Sequence, residues 1–517
     1  MSSVLNIERQ EAAPTLTDSR VGTAAKSVAR WRLLAWMAIA LLLYYPSFFS
    51  RPVFDDLSHV EFAAREGWQL WHIGPIFFRP LERVLIGLNW MLDRDNFWIV
   101  RSFGLSLFVL NVALVYDLAG RIVSQKSPWV PFIIATIFLV HPMHVLAVAK
   151  IDTFSEQMAS LFALLSVRCA MNAAATRDTN LSRRTGLYWA GWAVLTVFLG
   201  MLSKEAFAGI AAATPLFFAA ALGISTREAR RTLMWLVAGE CLAGIAYLAV
   251  RVAFGFPLLG ARVDAARYHL HIGFNVLKNV AAELASIAFP GSTLTLFVRF
   301  DTLAVMLALT VLVTLLVLLQ HRFRDLFVRG REVAPPQRRA TLIVLIAAVA
   351  AFFPTCLIPE LISENQTALA LPFMTLLVLA APLSLPTPLS HERLSWQIAF
   401  ACASVALFSC MALATSGKVL AMRQTSDRAY RMGDLILAKY YEHPSAVVTV
   451  CFDPTMRSTP AKYSVLSMPD DLAAFFQLSR LRIEQPGITI NVQDLRQAGT
   501  ADPARCNMHL SGMTVTP

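Results

Sequence analysis

Two adjacent acids, Asp55 and Asp56, stand just beyond an apolar run in "YYPSFFSRPVFDDLSHVEFAAREGWQLWHIGPIFFRPLERV", residues 44–84. A carboxylate held there can serve as a general base, taking the proton of an attacking hydroxyl. It can equally cap a helix beginning at Leu57, with Ser58 assisting, because Asp is a good N-cap. A second group, "HPMHVLAVAKIDTFSEQ", sets His141, His144, Lys150, Asp152 and Glu156 in an apolar context. Ionisable groups left facing lipid cost about 3 kcal/mol each, so five of them point to a polar site. A third, "LGMLSKEAFAG", interrupts two apolar runs with Lys204 and Glu205. These two either pair with one another in a tight turn, or Lys204 serves as a point charge for a phosphate. Arg79 in "FFRPLERV" is a second phosphate candidate, and Arg262, Arg267 and His269 follow. Glu360 and Glu364 lie in "PELISENQTALALPF".

A metal is not required by this set. His141 and His144 are three apart with Pro142 between them, unlike the i, i+4 pair of a zinc-binding helix. The seven cysteines form no CxxC pair. A carboxylate pair can hold Mg²⁺ or Mn²⁺, but a lipid monophosphate can be met by protein cations alone, so no cofactor is expected.

The elements that must position these residues are membrane spans. The 517 residues are 56% hydrophobic and 15% charged, against about 45–50% and 25% in soluble domains. A helix crossing the hydrocarbon needs roughly 20 apolar residues, which places spans near 32–49, 102–122, 129–147, 154–173, 187–202, 206–223, 233–252, 294–319, 340–358, 367–384 and 396–415. Net charge is +11, yet the basic residues cluster between spans, in "RDTNLSRR", "TREARR" and "RFRDLFVRGR". That is the positive-inside pattern, and nucleic-acid binding is excluded. It puts loops 121–128, 174–186, 224–232, 320–339 and 385–395 in the cytoplasm, after an uncleaved cytoplasmic tail at 1–31. All the polar motifs above then fall on the outer face, starting with the first outer loop, 50–101. Within that loop, Trp68 to Arg83 are expected to form a helix on the interface.

The expected fold is therefore an all-α polytopic membrane domain, 32–415, followed by a small extracytoplasmic α/β domain, 416–517. "SAVVTVCF", "GITINV" and "NMHLSGMTV" read as strands and "DDLAAFFQLSRL" as a helix. Cys451 and Cys506 both lie in that domain. A disulfide between them is the favoured reading over two free thiols in a packed core; the other five cysteines sit in spans as packing residues.

The order DD, FRPL followed by GLNWML, HPMH with Glu156, LSKE, then SEN resembles the GT-C glycosyltransferases. It is most similar to their O-mannosyltransferase branch, over roughly residues 40–210. Leu146 stands where that branch has an acid and Phe154 where it has an arginine, and no TPR array follows. The resemblance implies an enzyme that uses a polyprenyl-phosphate-linked sugar as donor and works on the extracytoplasmic face of a bacterial inner membrane. It implies an inverting transfer to a hydroxyl of an envelope glycan, lipid or protein. Asp55 or Asp56 is then the base and Glu156 an orienting acid. Lys204, Arg79, Arg267 and His269 meet the donor phosphate, and His141, His144, Asp152 and Glu364 meet sugar or acceptor. A transporter or flippase of lipid-linked sugars is the rival reading. It needs polar groups in mid-membrane, for which Asp117 and Glu240 are the candidates.

Overall fold

The computed structural model of the protein describes residues 31–52, 55–66, 78–93, 97–123, 129–151, 153–178, 183–256, 271–288, 335–357, 368–380, 393–452, 470–485, 487–494, 506, 508–511 and 514–516. The expected tail at 1–30 and the expected span at 294–319 lie outside them.

Among the described residues, eight helices are long and apolar enough to cross a membrane, and two shorter apolar helices accompany them. Together they match ten of the eleven expected spans. In chain order the helices are α1 (Trp31–Phe49), α2 (Asp55–Glu66), α3 (Pro80–Leu92), α4 (Trp98–Ile122), α5 (Trp129–Leu139), α6 (His144–Ala149), α7 (Phe154–Asp178) and α8 (Arg183–Ser203). After a 3₁₀ turn at Glu205–Phe207 come α9 (Ala208–Leu222), α10 (Arg227–Ala253), α11 (Phe274–Ala288), α12 (Pro335–Cys356), α13 (Leu371–Thr375) and α14 (Arg393–Glu442). One core of buried apolar side chains runs through α1, α4, α5, α7, α9, α12 and α14. α9 and α12 approach so closely that a side chain at Gly209 would run into the Ala350 carbonyl and Pro354.

Three expectations need correction. The span at 129–147 stops at Leu139, because Pro142 has no N–H to continue the ladder, and the chain turns before the short α6. The span at 367–384 begins with α13 and then loosens into a π-helical turn at Leu376–Ala380. Of the helix expected over Trp68 to Arg83, Phe78 and Arg79 are not helical and α3 starts at Pro80, where a proline suits the first helical position; residues 67–77 lie outside the described ones.

The helix α14 runs unbroken through Ser416 to Glu442, so the change of composition there is not a break in structure. Beyond it lies a four-stranded sheet of β1 (Val447–Phe452), β2 (Thr489–Asp494), β3 (Met508–Ser511) and β4 (Thr514–Thr516). The order is β2-β1-β3-β4, with β1 parallel to β2 and β3 and with β4 antiparallel to β3. Cys451 and Cys506 form a disulfide, their Cα atoms 5.8 Å apart. A further helix, α15 (Asp470–Glu484), closes one face. Leu478 and Leu481 pack on Val448 and Val450 of β1 and on Met432 and Ile436 of α14.

This unit is seated on the polar end of the bundle. α15 packs against both α14 and α2, and Arg482 reaches Glu61 of α2 at 3.6 Å. Tyr430 of α14 lies under two guanidinium groups, Arg51 at 4.8 Å and Arg480 at 4.3 Å. Near the opposite end of α4, Asp117 accepts from Arg121 at 3.2 Å and from Arg168 at 2.9 Å.

Sidedness can be read with single cysteines, after the five free ones are replaced. Glu442→Cys, at the end of α14, should react from outside intact cells with a maleimide that cannot cross the bilayer. Ser225→Cys, before α10, should react only after permeabilisation. Labelling of both from one side would overturn the topology.

Candidate functional site

Three polar motifs, far apart in sequence, meet where α3, α7 and the break between α8 and α9 come together, and a fourth, on α2, is tied to the loop before α7. Asp56 sits in the first turn of α2, whose helix already starts at Asp55, so it does not cap a helix at Leu57. It is buried and its Oδ1 accepts from the backbone amide of Ile151 at 3.1 Å. That bond ties the acid pair to the loop between α6 and α7. The side chain of Asp55 is not among the described groups.

Glu156 lies in the first turn of α7. Its Oε2 accepts from Ser155 Oγ at 2.9 Å, and its Oε1 meets the ammonium group of Lys204. Both side chains are buried. Glu205, next in the chain, turns the other way and accepts from Arg79 Nε at 3.1 Å. Neither residue of the Lys-Glu dipeptide pairs with the other, which is the reading that adjacency suggested. The backbone explains why: Lys204 is extended, with φ −157° and ψ 140°, and extended residues send successive side chains to opposite sides.

Arg79 also lies 3.6 Å from Glu82 of α3. Burial opposes its charge, but Glu205, Glu82 and Glu156 outweigh burial and hold the guanidinium above its ordinary range. It stays a cation at every working pH. With Lys204 it forms a two-cation cluster faced by three carboxylates, Glu82, Glu205 and Glu156.

One wall of this cluster was not foreseen. Arg251, near the end of α10, is buried, donates to the Tyr247 hydroxyl at 3.3 Å, and lies over Phe78 at 6.0 Å and Phe256 at 5.7 Å. Tyr247 in turn feels the charges of Glu205 and Arg79. A signal was available: Arg251 ends a span on the side that the basic-loop pattern assigns to the outside, where an arginine runs against that pattern.

The histidines behave differently from one another. His141 uses both ring nitrogens within the protein. Nε2 bonds the carbonyl of Ile287 in α11 at 2.9 Å, and Nδ1 accepts from the Met143 amide at 3.2 Å. Burial, aided by the charge of Lys418, pushes it down to about 4 against the pull of the Ile287 carbonyl. It is a neutral tie between the loop and α11, with no ring nitrogen left for a sugar. His144 is buried against Phe108 and Phe138, at 4.6 and 4.5 Å between ring centres. Its nitrogens make no hydrogen bond of normal geometry among the described residues, although the Phe138 carbonyl is near enough to act on the ring. Burial first, and then His141, keep it neutral. Asp152, Arg262, Arg267, His269, Glu360 and Glu364 lie outside the described residues. No group of three metal-binding side chains occurs among the described ones.

No family model matches the chain, and no curated protein does. Among solved structures, it is similar to ArnT from Cupriavidus metallidurans in the apo state, with a TM-score of 0.49 and 11% identity over 90% of each chain. A second ArnT structure, described as bound to undecaprenyl phosphate, gives 0.45 and 11% over 89% of each. The apo oligosaccharyltransferase from Archaeoglobus fulgidus gives 0.49 and 14%, over 91% of this chain but only 65% of that one. At these values the likeness assigns no role to any residue here.

Breaking a buried ion pair leaves a lone charge and costs about 3–5 kcal/mol. Lys204→Ala is therefore expected to lower the stability of the purified protein by roughly that amount. Adding Glu156→Ala should recover much of it, whereas adding Glu205→Ala should not. Thermal unfolding of the three variants decides; recovery with Glu205→Ala instead would mean the dipeptide pairs with itself.

Proposed function

We propose that the protein is an inverting glycosyltransferase of the GT-C type. In this reading it moves a sugar from a polyprenyl-phosphate-linked donor to a hydroxyl of an envelope glycan, lipid or protein. It works at the outer face of a bacterial inner membrane, with the N-terminus inside and the sheet outside. The ordered motifs favour the O-mannosyltransferase branch. The observation that carries the reading is the cluster of Glu156, Lys204 and Arg79 at one end of an apolar bundle, with Asp56 tied to the loop that leads into α7. A lipid-anchored donor places its scissile bond at that height, and the sequence has neither a G-x-x-x-x-G-K-[ST] loop nor a Rossmann fingerprint, which is consistent with such a donor.

The chemistry follows from the groups present. The acceptor hydroxyl attacks the anomeric carbon from the side opposite the phosphate. The new carbon–oxygen bond forms as the carbon–oxygen bond to phosphate breaks, and the configuration inverts. A carboxylate of the Asp55/Asp56 pair takes the hydroxyl proton. Lys204 and Arg79 meet the charge that gathers on the departing phosphate, with Arg251 behind them. Glu156, through its bond to Lys204, sets where that ammonium group stands. Arg267 and His269 extend the phosphate subsite, and His144, Asp152 and Glu364 face sugar or acceptor. No metal enters the scheme.

A flippase of lipid-linked sugars would need a charge exposed in mid-membrane. Asp117 is instead held by Arg121 and Arg168, and Glu240 alone makes a poor path.

The reaction can be tested with purified protein and polyprenyl-phosphate sugars. Asp55→Asn and Asp56→Asn keep the side-chain shape but remove the base, and the more important of the two should lose about 10²-fold or more in transfer rate. Near-normal rates in both variants would sink the mechanism. Sugar flipping in liposomes without transfer would favour the rival reading.

A further inference from the structure

We propose that Arg101 is a positioning residue that acts through Asp56, holding its carboxylate in the charged form that can accept a proton. The proposal rests on the glycosyl-transfer reading above and adds a residue that no motif singled out. Arg101 lies in the first turn of α4 and is buried. Its Nη1 donates to the Phe48 carbonyl at 3.1 Å, which fixes the guanidinium group at the exit of α1. Its Nε is buried and has no hydrogen-bond partner among the described residues.

Several contacts bring this end of α4 to Asp56. Val100, beside Arg101, shares a buried cluster with Ile151 and with Val60, one turn beyond Asp56 on α2. Ile151 gives its amide to Asp56 Oδ1 at 3.1 Å. Phe48, which Arg101 holds, precedes the acid pair by only a few residues. The charges that act on Arg101 are those of Asp56 and then Tyr430. Tyr430 in turn feels Arg480, Arg51, Asp56 and Arg101, so the acid and this arginine belong to one group with the stacked tyrosine.

A buried carboxylate tends to keep its proton, because burial disfavours the charged form. Asp56 is buried, yet a general base must be ionised to work. The Ile151 amide favours the ionised form, and a nearby opposite charge adds to it. The other charged or titratable groups around Asp56 are mostly engaged elsewhere. On α2 itself, His59 and Glu61 follow, and Glu61 takes Arg482 of α15. Arg480 of α15 is held by Asp434 at 2.8 Å. On α3, Glu82 faces Arg79 with Arg83 next to it, and Lys150 precedes Ile151. Arg51 is exposed, where water and salt screen its charge. Arg101 is buried and makes no direct ion pair among the described residues. An arginine in bidentate contact would occupy both carboxylate oxygens; Arg101 acts through its field and occupies neither.

The test titrates Asp56 in the full-length purified protein by infrared spectroscopy, between about pH 4 and pH 9. Its carboxyl band is identified as the one that Asp56→Asn removes. Arg101→Gln keeps a donor for the Phe48 carbonyl but removes the charge, and the Asp56 midpoint should rise by about one pH unit or more. Arg101→Lys should restore most of that shift. Equal midpoints in wild type and Arg101→Gln overturn the proposal. So does a shift in Arg101→Lys as large as in Arg101→Gln, which would trace it to geometry and not to charge. Should Arg101→Gln not fold, wild type decides: an Asp56 midpoint above about pH 7 overturns the proposal, and one well below supports it. The second readout is the rate of transfer from polyprenyl-phosphate sugars. A base that keeps its proton to higher pH works only at higher pH, so Arg101→Gln should lose about tenfold at about pH 6 and recover by about pH 8. An infrared shift with an unmoved rate profile overturns the role in catalysis, since the base would then not be Asp56. An infrared shift in a protein that transfers no sugar removes the functional reading and leaves the hold of Arg101 on Asp56 standing.

Discussion

A lysine buried between two apolar helices keeps its charge only beside a carboxylate, and Lys204 finds that partner in Glu156, 48 residues earlier. The pair locks the start of α7 to the break between α8 and α9. The neighbouring Glu205 extends the lock to Arg79 and so to α3. A buried ion pair is seldom a net source of stability, since desolvating two charges offsets most of their attraction. Its effect is selective: the helices have one arrangement in which no charge is stranded. The other features of the site follow from that arrangement. The Ile151 amide lies where Asp56 can use it, and Arg251 comes to rest against Phe78 and Tyr247.

Much of the helical frame was legible because crossing a bilayer demands about 20 apolar residues, a strong and local signal. It was misread where chain geometry overrode composition. Pro142 ended a segment that stayed apolar beyond it. The boundary at Ser416 failed for the opposite reason, since α14 leaves the apolar zone there and becomes polar while its backbone ladder continues. The residues of the site were visible as isolated charges in apolar surroundings, but their pairing was not. Adjacency favoured Lys204 with Glu205, and only the extended backbone at Lys204 shows why they part. His141 looked like a ligand group and is a structural tie.

The C-terminal unit adds a second constraint on the acids. α2 is short and lies outside the main core, joining through Val60 a smaller buried cluster with Ile86, Val100, Ile151 and Phe154. α15 covers it, and the Glu61–Arg482 contact joins the two. The Arg51–Tyr430–Arg480 stack clamps the exit of α1 and α15 to the same point of α14. The disulfide holds β1 beside the segment leading into β3, which keeps the platform under α15 intact.

The length of α14 has a mechanical corollary. Fifty residues of continuous helix reach about 75 Å at 1.5 Å per residue, while the hydrocarbon is only about 30 Å thick. The helix is therefore more than twice as long as the hydrocarbon is thick and carries a long arm beyond it. A tilt of about 10° displaces the tip of an arm about 40 Å long by roughly 7 Å. Transmembrane helices change tilt to accommodate bilayer thickness. Any change of tilt in α14 would be carried to the sheet and α15, which pack on it, and from α15 to α2, the helix that carries Asp56.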